Sequence, residues 1–161
     1  MNLRVAAIII SMAQSSVPLW HKVPQPTKEE YVQHQIQKLH PSAVKRPFVK
    51  NLGNLIAHHC DSRDFRDAVI ISFAESGFQN VVSKTQDFGP MQINAVHRKL
   101  SKDKTYTIEV STWSLRDQVQ FACRRIRWAK ERGDLAYYHS NNPRHRSAYG
   151  ARLKEIKEKL K

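Results

Sequence analysis

The distribution of prolines divides the chain into two parts. Five of the seven prolines lie between residues 17 and 47, and only Pro90 and Pro143 follow. Because proline interrupts the hydrogen bonding of a helix interior, long helices are favoured only after Pro47. With 161 residues, 40% of them hydrophobic, the chain can bury one compact core. We therefore predict one domain over residues 48–161, preceded by a proline-rich segment.

The apolar residues after Pro47 recur with the period of an α-helix. Residues 48–60, 63–76, 114–130 and 147–161 each repeat apolar positions every three or four residues. The predicted core positions are Phe48, Leu52, Leu55, Ile56, Phe65, Ala68, Ile71, Leu115, Val119, Ala122, Ile126, Ala129, Tyr149, Leu153, Ile156 and Leu160. Only TYTIEV at 105–110 alternates over strand length. The pattern predicts a mainly α fold of the α+β type, with at most a short β-hairpin or extended loop.

The first thirteen residues have the layout of an export signal. One cation, Arg4, precedes an apolar run from Val5 to Ala13 that only Ser11 interrupts. The run is about half of the roughly 20 residues that a membrane-spanning helix requires, so we expect no transmembrane anchor. We predict a signal peptide over residues 1–13; a buried first strand or helix is the alternative.

Residues 14–47 are expected to form a proline-rich linker, or a clasp on the main domain. One short helix is predicted there, because Thr27 and Glu30 have the spacing of a capping box. Tyr31, Ile36 and Leu39 give this helix a thin apolar stripe.

The chain is strongly basic, with a formal net charge of +13. Such a charge attracts nucleic acid, anionic lipid and acidic wall polymers, and it does not choose among them. The densest basic run, RRIRWAKER at 124–132, is read as the solvated face of a helix rather than a nucleic-acid site, because no nucleic-acid motif accompanies it.

Two cysteines, Cys60 and Cys123, are too few for a disulfide scaffold and lack the spacing of a zinc site. A single bridge between them stays open for an exported protein. His58 and His59 are neighbours on a predicted helix and point about 100° apart, so we expect no metal site there.

Glu75 ends the apolar run of residues 63–76. Steps of three and four place it on the face of Ala68 and Ile71, and Gly77 is well placed to end the helix. Burial and the partial negative charge of a helix C-terminus both disfavour the ionised form, so a glutamate here is expected to keep its proton and can act as a general acid. The alternative is a solvated glutamate, or one paired with an arginine.

Three separated motifs follow in order within residues 51–161. They are ESGF at 75–78 with Ser83 after it, DFGPMQIN at 87–94, and AYYHSNNP at 136–143 with Tyr149 after it. The set resembles the lytic transglycosylase family with its goose-lysozyme-like fold, in particular the short members of conjugation and secretion machines. The sequence departs from the family pattern at Pro90, His139 and Asn141, where many relatives have leucine, asparagine and glycine.

The resemblance implies a role for each matching residue. Glu75 corresponds to the single catalytic acid. The substrate-binding positions are Ser83, Met91, Gln92, Asn94, Tyr138 and Tyr149, of which Met91 packs beside Gln92 and Tyr138 orients the acid. For Tyr149, a place in the core of the last helix is an equal alternative.

The implied reaction cleaves the bond between N-acetylmuramic acid and N-acetylglucosamine in peptidoglycan and closes a 1,6-anhydro ring, with no metal or organic cofactor. The expected partners are peptidoglycan strands and a phage virion, conjugation or secretion apparatus, with no specific nucleic acid. The expected location is periplasmic or secreted, or in a phage virion. The alternatives are a muramidase that uses Asp87 and water, and a noncatalytic wall-binding module.

Overall fold

The computed structural model describes residues 25–100 and 107–161 of the chain. Within them lie five α-helices: α1 (Lys28–Leu39), α2 (Pro47–His59), α3 (Phe65–Ser76), α4 (Leu115–Glu131) and α5 (Pro143–Glu158). Four short strands stand between α3 and α4: β1 (Asp87–Phe88), β2 (Ile93–Asn94), β3 (Arg98–Leu100) and β4 (Thr107–Glu109). Short 3₁₀ helices occupy Ala43–Lys45, Ser62–Asp64, Val110–Thr112 and Leu135–Tyr138. The predicted mainly α fold with a small β component is confirmed.

Helix α3 is the central element of the core. It contacts α1, α2, α4 and α5, and its residues Val69, Ile70 and Ile71 are all fully buried. The sequence pattern predicted burial along one face only, which was wrong: a helix surrounded by four others buries nearly its whole circumference. The last turn of α3 therefore emerges from the middle of the domain.

Helix α1 belongs to the same core. The predicted capping box is present, with the Thr27 hydroxyl accepting from the Glu30 N–H at 3.2 Å and the Glu30 carboxylate accepting from the Thr27 N–H at 2.8 Å. Val32 and Ile36 are fully buried, and the helix packs against α2 and α3. The described part of the proline-rich segment is therefore a clasp and not a linker. Tyr31, predicted to belong to the apolar stripe, is instead 37% exposed.

A disulfide joins Cys60 to Cys123 and so ties the end of α2 to the middle of α4. The two Cα atoms are 5.2 Å apart, within the usual range for a disulfide. The bridge that the sequence left open is thus present. His59 approaches the side chain of Gln120, and His58 lies 3.3 Å from a carboxylate oxygen of Glu29.

The strands form two small antiparallel ladders. In the first, Asp87 pairs with Asn94 and Phe88 with Ile93, which closes a tight loop directly after α3. In the second, β3 pairs with β4, so the strand predicted at 105–110 is found from residue 107; residues 105 and 106 lie outside the described ranges.

The basic run of α4 is largely solvent-exposed, as the sequence predicted, but two of its cations also form ion pairs. Lys130 Nζ lies 2.7 Å from Asp64 and 3.0 Å from Asp67, and Arg127 lies 3.5 Å from Asp64. The Asp64 side chain is only 5% exposed. These ion pairs connect α4 to the start of α3, and they neutralise part of the positive charge of the basic run.

The predicted signal peptide, residues 1–13, lies outside the described residues, as does the segment 14–24. In the part of the chain that the structure describes, no helix has both the length and the apolar character required to cross a membrane.

Candidate active site

Glu75 lies in the last turn of α3, where the helix leaves the core. Gly77 ends the helix in the left-handed conformation with φ of 62°, and its N–H donates to the Phe73 carbonyl at 2.9 Å. The Glu75 side chain is only 10% exposed. Glu75 is therefore not a solvated helix-end residue, and the cap predicted at Gly77 is confirmed.

The loop over residues 89–92, which we call the hook, is fastened to this helix end. Ser76 Oγ donates to the Pro90 carbonyl at 2.9 Å, and Ser72 Oγ donates to the same oxygen at 3.4 Å. Gly89 has φ of 75°, and a Cβ atom there would overlap the buried side chain of Gln118. Pro90, which departs from the family pattern, contributes through its carbonyl, so the substitution removes no contact of this kind.

Gln92 is held in a left-handed backbone conformation, with φ of 45°. Its side-chain nitrogen donates to the Gly89 carbonyl at 2.8 Å and to the Val81 carbonyl at 3.1 Å. Both amide hydrogens are thereby used. The oxygen of this amide is the group that remains to accept a hydrogen bond from a ligand, such as the N–H of a sugar acetamide.

Asp87 is the second carboxylate of the site, and its oxygens are hydrogen-bonded to neighbouring side chains. Ser83 Oγ donates to Oδ2 at 2.8 Å, Thr85 Oγ1 donates to the same oxygen, and Asn94 Nδ2 donates to Oδ1 at 2.7 Å. Burial alone would raise the pKa of Asp87, but these three hydrogen bonds together lower it. Asp87 is thus held as a carboxylate.

Ser83 and Asn94 were both predicted to contact substrate. The structure instead places Ser83 behind Asp87, outside the residues that line the cavity. Asn94 does line the cavity, but its nitrogen also approaches the Thr85 carbonyl at 3.3 Å and its oxygen accepts from the Val96 N–H at 3.0 Å. Both residues therefore position Asp87 and the loop.

Tyr138 supports the hook and makes no hydrogen bond to the acid. Its hydroxyl donates to the Met91 carbonyl at 3.0 Å, and Met91 is fully buried. Burial raises the pKa of Tyr138, and the nearby negative charge of Glu75 adds to that rise. The prediction that Tyr138 orients the acid stays a prediction, and the expected packing of Met91 beside Gln92 agrees with its burial.

A cavity of about 360 Å³ opens beside Glu75. Its walls come from the hook, the first ladder, α4 and the 3₁₀ helix Leu135–Tyr138 with the residues after it. Among the lining side chains are Glu75, Asp87, Gln92, Asn94, Phe121, Arg125, Tyr138 and His139. Glu75, Gln92, Asn94 and Tyr138, all predicted from the sequence, therefore share one cavity.

A second cavity, of about 310 Å³, adjoins the first and shares Glu75 and His139 with it. Tyr149 lines this second cavity and stacks on His139, with ring centroids 4.6 Å apart and planes at 16°. Tyr149 is also 6% exposed and part of the core. The place of Tyr149 in the core is thus confirmed, and its contact with substrate stays a prediction that its position in the cavity wall supports.

The carboxyl of Glu75 lies beside the side chains of His139 and Tyr149. Its Oε1 is buried and has no hydrogen-bond partner among the described residues, and the same holds for the Tyr149 hydroxyl. The nearest ion-pair atom, His139 Nδ1, is 3.6 Å from Oε1. Contact with Glu75 raises the pKa of His139, against the opposing effect of burial, while burial and then the charge of Glu75 raise the pKa of Tyr149.

Some residues of the site were not identified from the sequence. Phe121 lines the first cavity and packs against His97, with ring centroids 4.7 Å apart. Its signal was an aromatic residue off the apolar stripe of α4. Arg125 was assigned to a solvated face, yet it lines the cavity and lies 3.8 Å above the Trp128 ring. No local pattern distinguishes it from the other arginines of that run.

Within residues 25–100 and 107–161, no three histidine, cysteine or acidic side chains are grouped so that they could hold a metal ion. Asn141 lines the first cavity without a left-handed backbone, so the turn there does not use the conformation that glycine favours.

Comparison with protein-family models, with curated proteins and with solved structures gives no match.

Proposed function

We propose that this protein is a peptidoglycan lytic transglycosylase with a lysozyme-like domain, in which Glu75 is the catalytic acid. The observation that carries the proposal is the setting of this side chain. It is 10% exposed and lies between two adjoining cavities, and its buried Oε1 has no hydrogen-bond partner among the described residues. A carboxyl placed in this way can donate a proton to a ligand in the cavity and later take one back.

The reaction requires only one proton-transferring group. Glu75 gives its proton to the glycosidic oxygen as the bond from that oxygen to C1 of the muramyl residue breaks. The carboxylate so formed then takes the proton of the muramyl 6-hydroxyl, and that oxygen bonds to C1 to close the anhydro ring. No water is consumed and Glu75 is protonated again at the end. The nucleophile is already attached to the reacting sugar, which favours this attack over one from solution.

The state of Asp87 favours this pathway over hydrolysis. A muramidase would need a second carboxylate to activate water. Asp87 lies in the same cavity, so hydrolysis is the second candidate, but its oxygens already accept three side-chain hydrogen bonds and its pKa is lowered. A carboxylate so stabilised is a weak base. It is suited to stabilising positive charge that develops on the sugar ring.

The hook and Tyr138 would position the glycan. Gln92 presents its amide oxygen. The residue before it, Met91, is held by the hydrogen bond from the Tyr138 hydroxyl to its carbonyl. Phe121 and Val96 supply apolar surface to the same cavity, as the C–H faces of sugar rings require.

The cellular setting follows from the same proposal. A disulfide persists in oxidising compartments, which supports a periplasmic or secreted location or a place in a phage virion. The partners would be peptidoglycan strands and the phage, conjugation or secretion apparatus that requires local opening of the wall.

The proposal is tested by digestion of purified sacculi with wild type, Glu75→Gln and Glu155→Gln, the last being a matched change at an exposed position of α5. Wild type and Glu155→Gln should release soluble fragments, whereas Glu75→Gln should release essentially none. Undiminished release by Glu75→Gln would contradict the assignment, and an intact sacculus after treatment with wild type would favour a wall-binding module.

A further inference from the structure

The second cavity lies on the α5 side of Glu75, away from the hook. Besides Glu75 and His139, its walls are formed by His145, Ala148, Tyr149 and Arg152, all on α5. Because the two cavities meet at Glu75, a ligand in the second cavity reaches the same carboxyl as a ligand in the first.

This cavity is rich in hydrogen-bond donors and carries positive charge. Arg152 is exposed and forms no ion pair with a carboxylate of the described residues. It nonetheless lies close enough to oppose the rise in the pKa of both His139 and Tyr149. His145 adds an imidazole. Among the described residues that line the cavity, Glu75 is the one acidic side chain.

A buried donor completes the set. The Tyr149 ring is 6% exposed, and its hydroxyl is buried without a hydrogen-bond partner among the described residues. A buried hydroxyl without a partner is costly unless a ligand satisfies it. A guanidinium, an imidazole and a phenolic hydroxyl around one cavity are the donors that bind an anionic oxygen.

We propose that this cavity binds a carboxylate carried by the lactyl-peptide substituent of the muramyl residue, an inference that rests on the proposed function. N-acetylated sugars are uncharged, so a glycan strand offers carboxylates only on this substituent. The substituent belongs to the sugar whose C1 bond Glu75 would open, and the cavity begins at Glu75. Arg152 is then a specificity residue that favours muramyl residues with an anionic substituent.

The test compares initial rates on glycan strands in three forms. The first form carries native stem peptides, and the second carries the same stems with their carboxyls converted to amides. The third has been stripped by an amidase, which leaves the lactyl carboxylate itself. The proteins are wild type, Arg152→Gln, Arg152→Lys and Lys154→Gln, a change on the same helix outside the cavity.

Wild type and Lys154→Gln should prefer native over amidated stems by on the order of tenfold in kcat/KM, mainly through KM, because one charge-assisted contact is lost. Arg152→Gln should lose this preference and Arg152→Lys should regain part of it, which a merely structural role would not produce. Equal dependence of the stripped strands on Arg152 would show that the cavity also accepts the lactyl carboxylate that the amidase exposes; its absence there would assign the contact to the stem carboxylates alone.

Two results would overturn the inference: equal rates of wild type on native and amidated stems, or a preference that Arg152→Gln retains. If wild type cleaves none of the three forms, it is the proposed function that fails. Thermal unfolding of each variant identifies any that does not fold, and in that case Arg152→Lys alone decides the outcome.

Discussion

Removal of the disulfide should cost a large part of the stability of this domain. Cys60 and Cys123 are separated by 63 residues, so the bridge closes a long loop in the unfolded chain. The loss of loop-closure entropy for a loop of this length corresponds to about 4 kcal/mol at 25 °C. Because domains of this size have a total stability of about 5–15 kcal/mol, the double variant Cys60→Ser/Cys123→Ser should lose between about a quarter and four fifths of it.

The assay is equilibrium unfolding in urea, followed by circular dichroism, for the oxidised wild type, the double variant and the reduced wild type. The urea concentration at the midpoint of unfolding should be lower for the double variant and for the reduced wild type than for the oxidised wild type. The dependence on urea should steepen, because an unfolded chain without the cross-link exposes more surface. A difference of less than about 1 kcal/mol between oxidised and bridgeless protein would refute the loop argument. It would mean that residual structure in the unfolded chain keeps the segments of α2 and α4 close together even without the bridge.

Two further predictions concern the site. The pKa of His139, measured by NMR titration, should lie above its ordinary value, and it should fall in Glu75→Gln but not in Glu155→Gln. The stabilisation of the folded state by this contact is fully present below about pH 6.5, and it is lost as the pH rises through the raised pKa. An unchanged titration in Glu75→Gln would contradict the contact. Gly89→Ala should lower the free energy of unfolding by about 1–3 kcal/mol in the same urea assay, because alanine is strained at φ of 75° and its Cβ would overlap Gln118. If the Gly89→Ala variant is as stable as the wild type, the hook has room to relax.

The elements that were predicted well are those fixed by neighbouring residues. The capping box of Thr27 and Glu30 and the glycine cap at Gly77 depend on groups within one helical turn, and both are present. The three predicted apolar positions within α5, Tyr149, Leu153 and Ile156, are all buried for the same reason, since a regular helix places them on one face.

The parts that were missed depend on contacts distant in sequence. Nothing local to Tyr138 indicates that its hydroxyl reaches the Met91 carbonyl, 47 residues away. The burial of Val69 and Ile70 follows from the four helices around α3, and the place of α1 in the core follows from packing that a proline-rich composition does not reveal. The motifs located Glu75 and the hook, but the side chains that hold Asp87 became apparent only from the folded loop.

The central claim is that Glu75 transfers a proton both to and from the sugar, with no water in the reaction. It is tested most directly by mass spectrometry of the fragments released from sacculi in water labelled with heavy oxygen. The account predicts muramyl ends lighter than the hydrolysis product by one water molecule and without label, and none of these ends with Glu75→Gln. Labelled reducing ends from the wild-type protein would show that water is the nucleophile and would contradict the account.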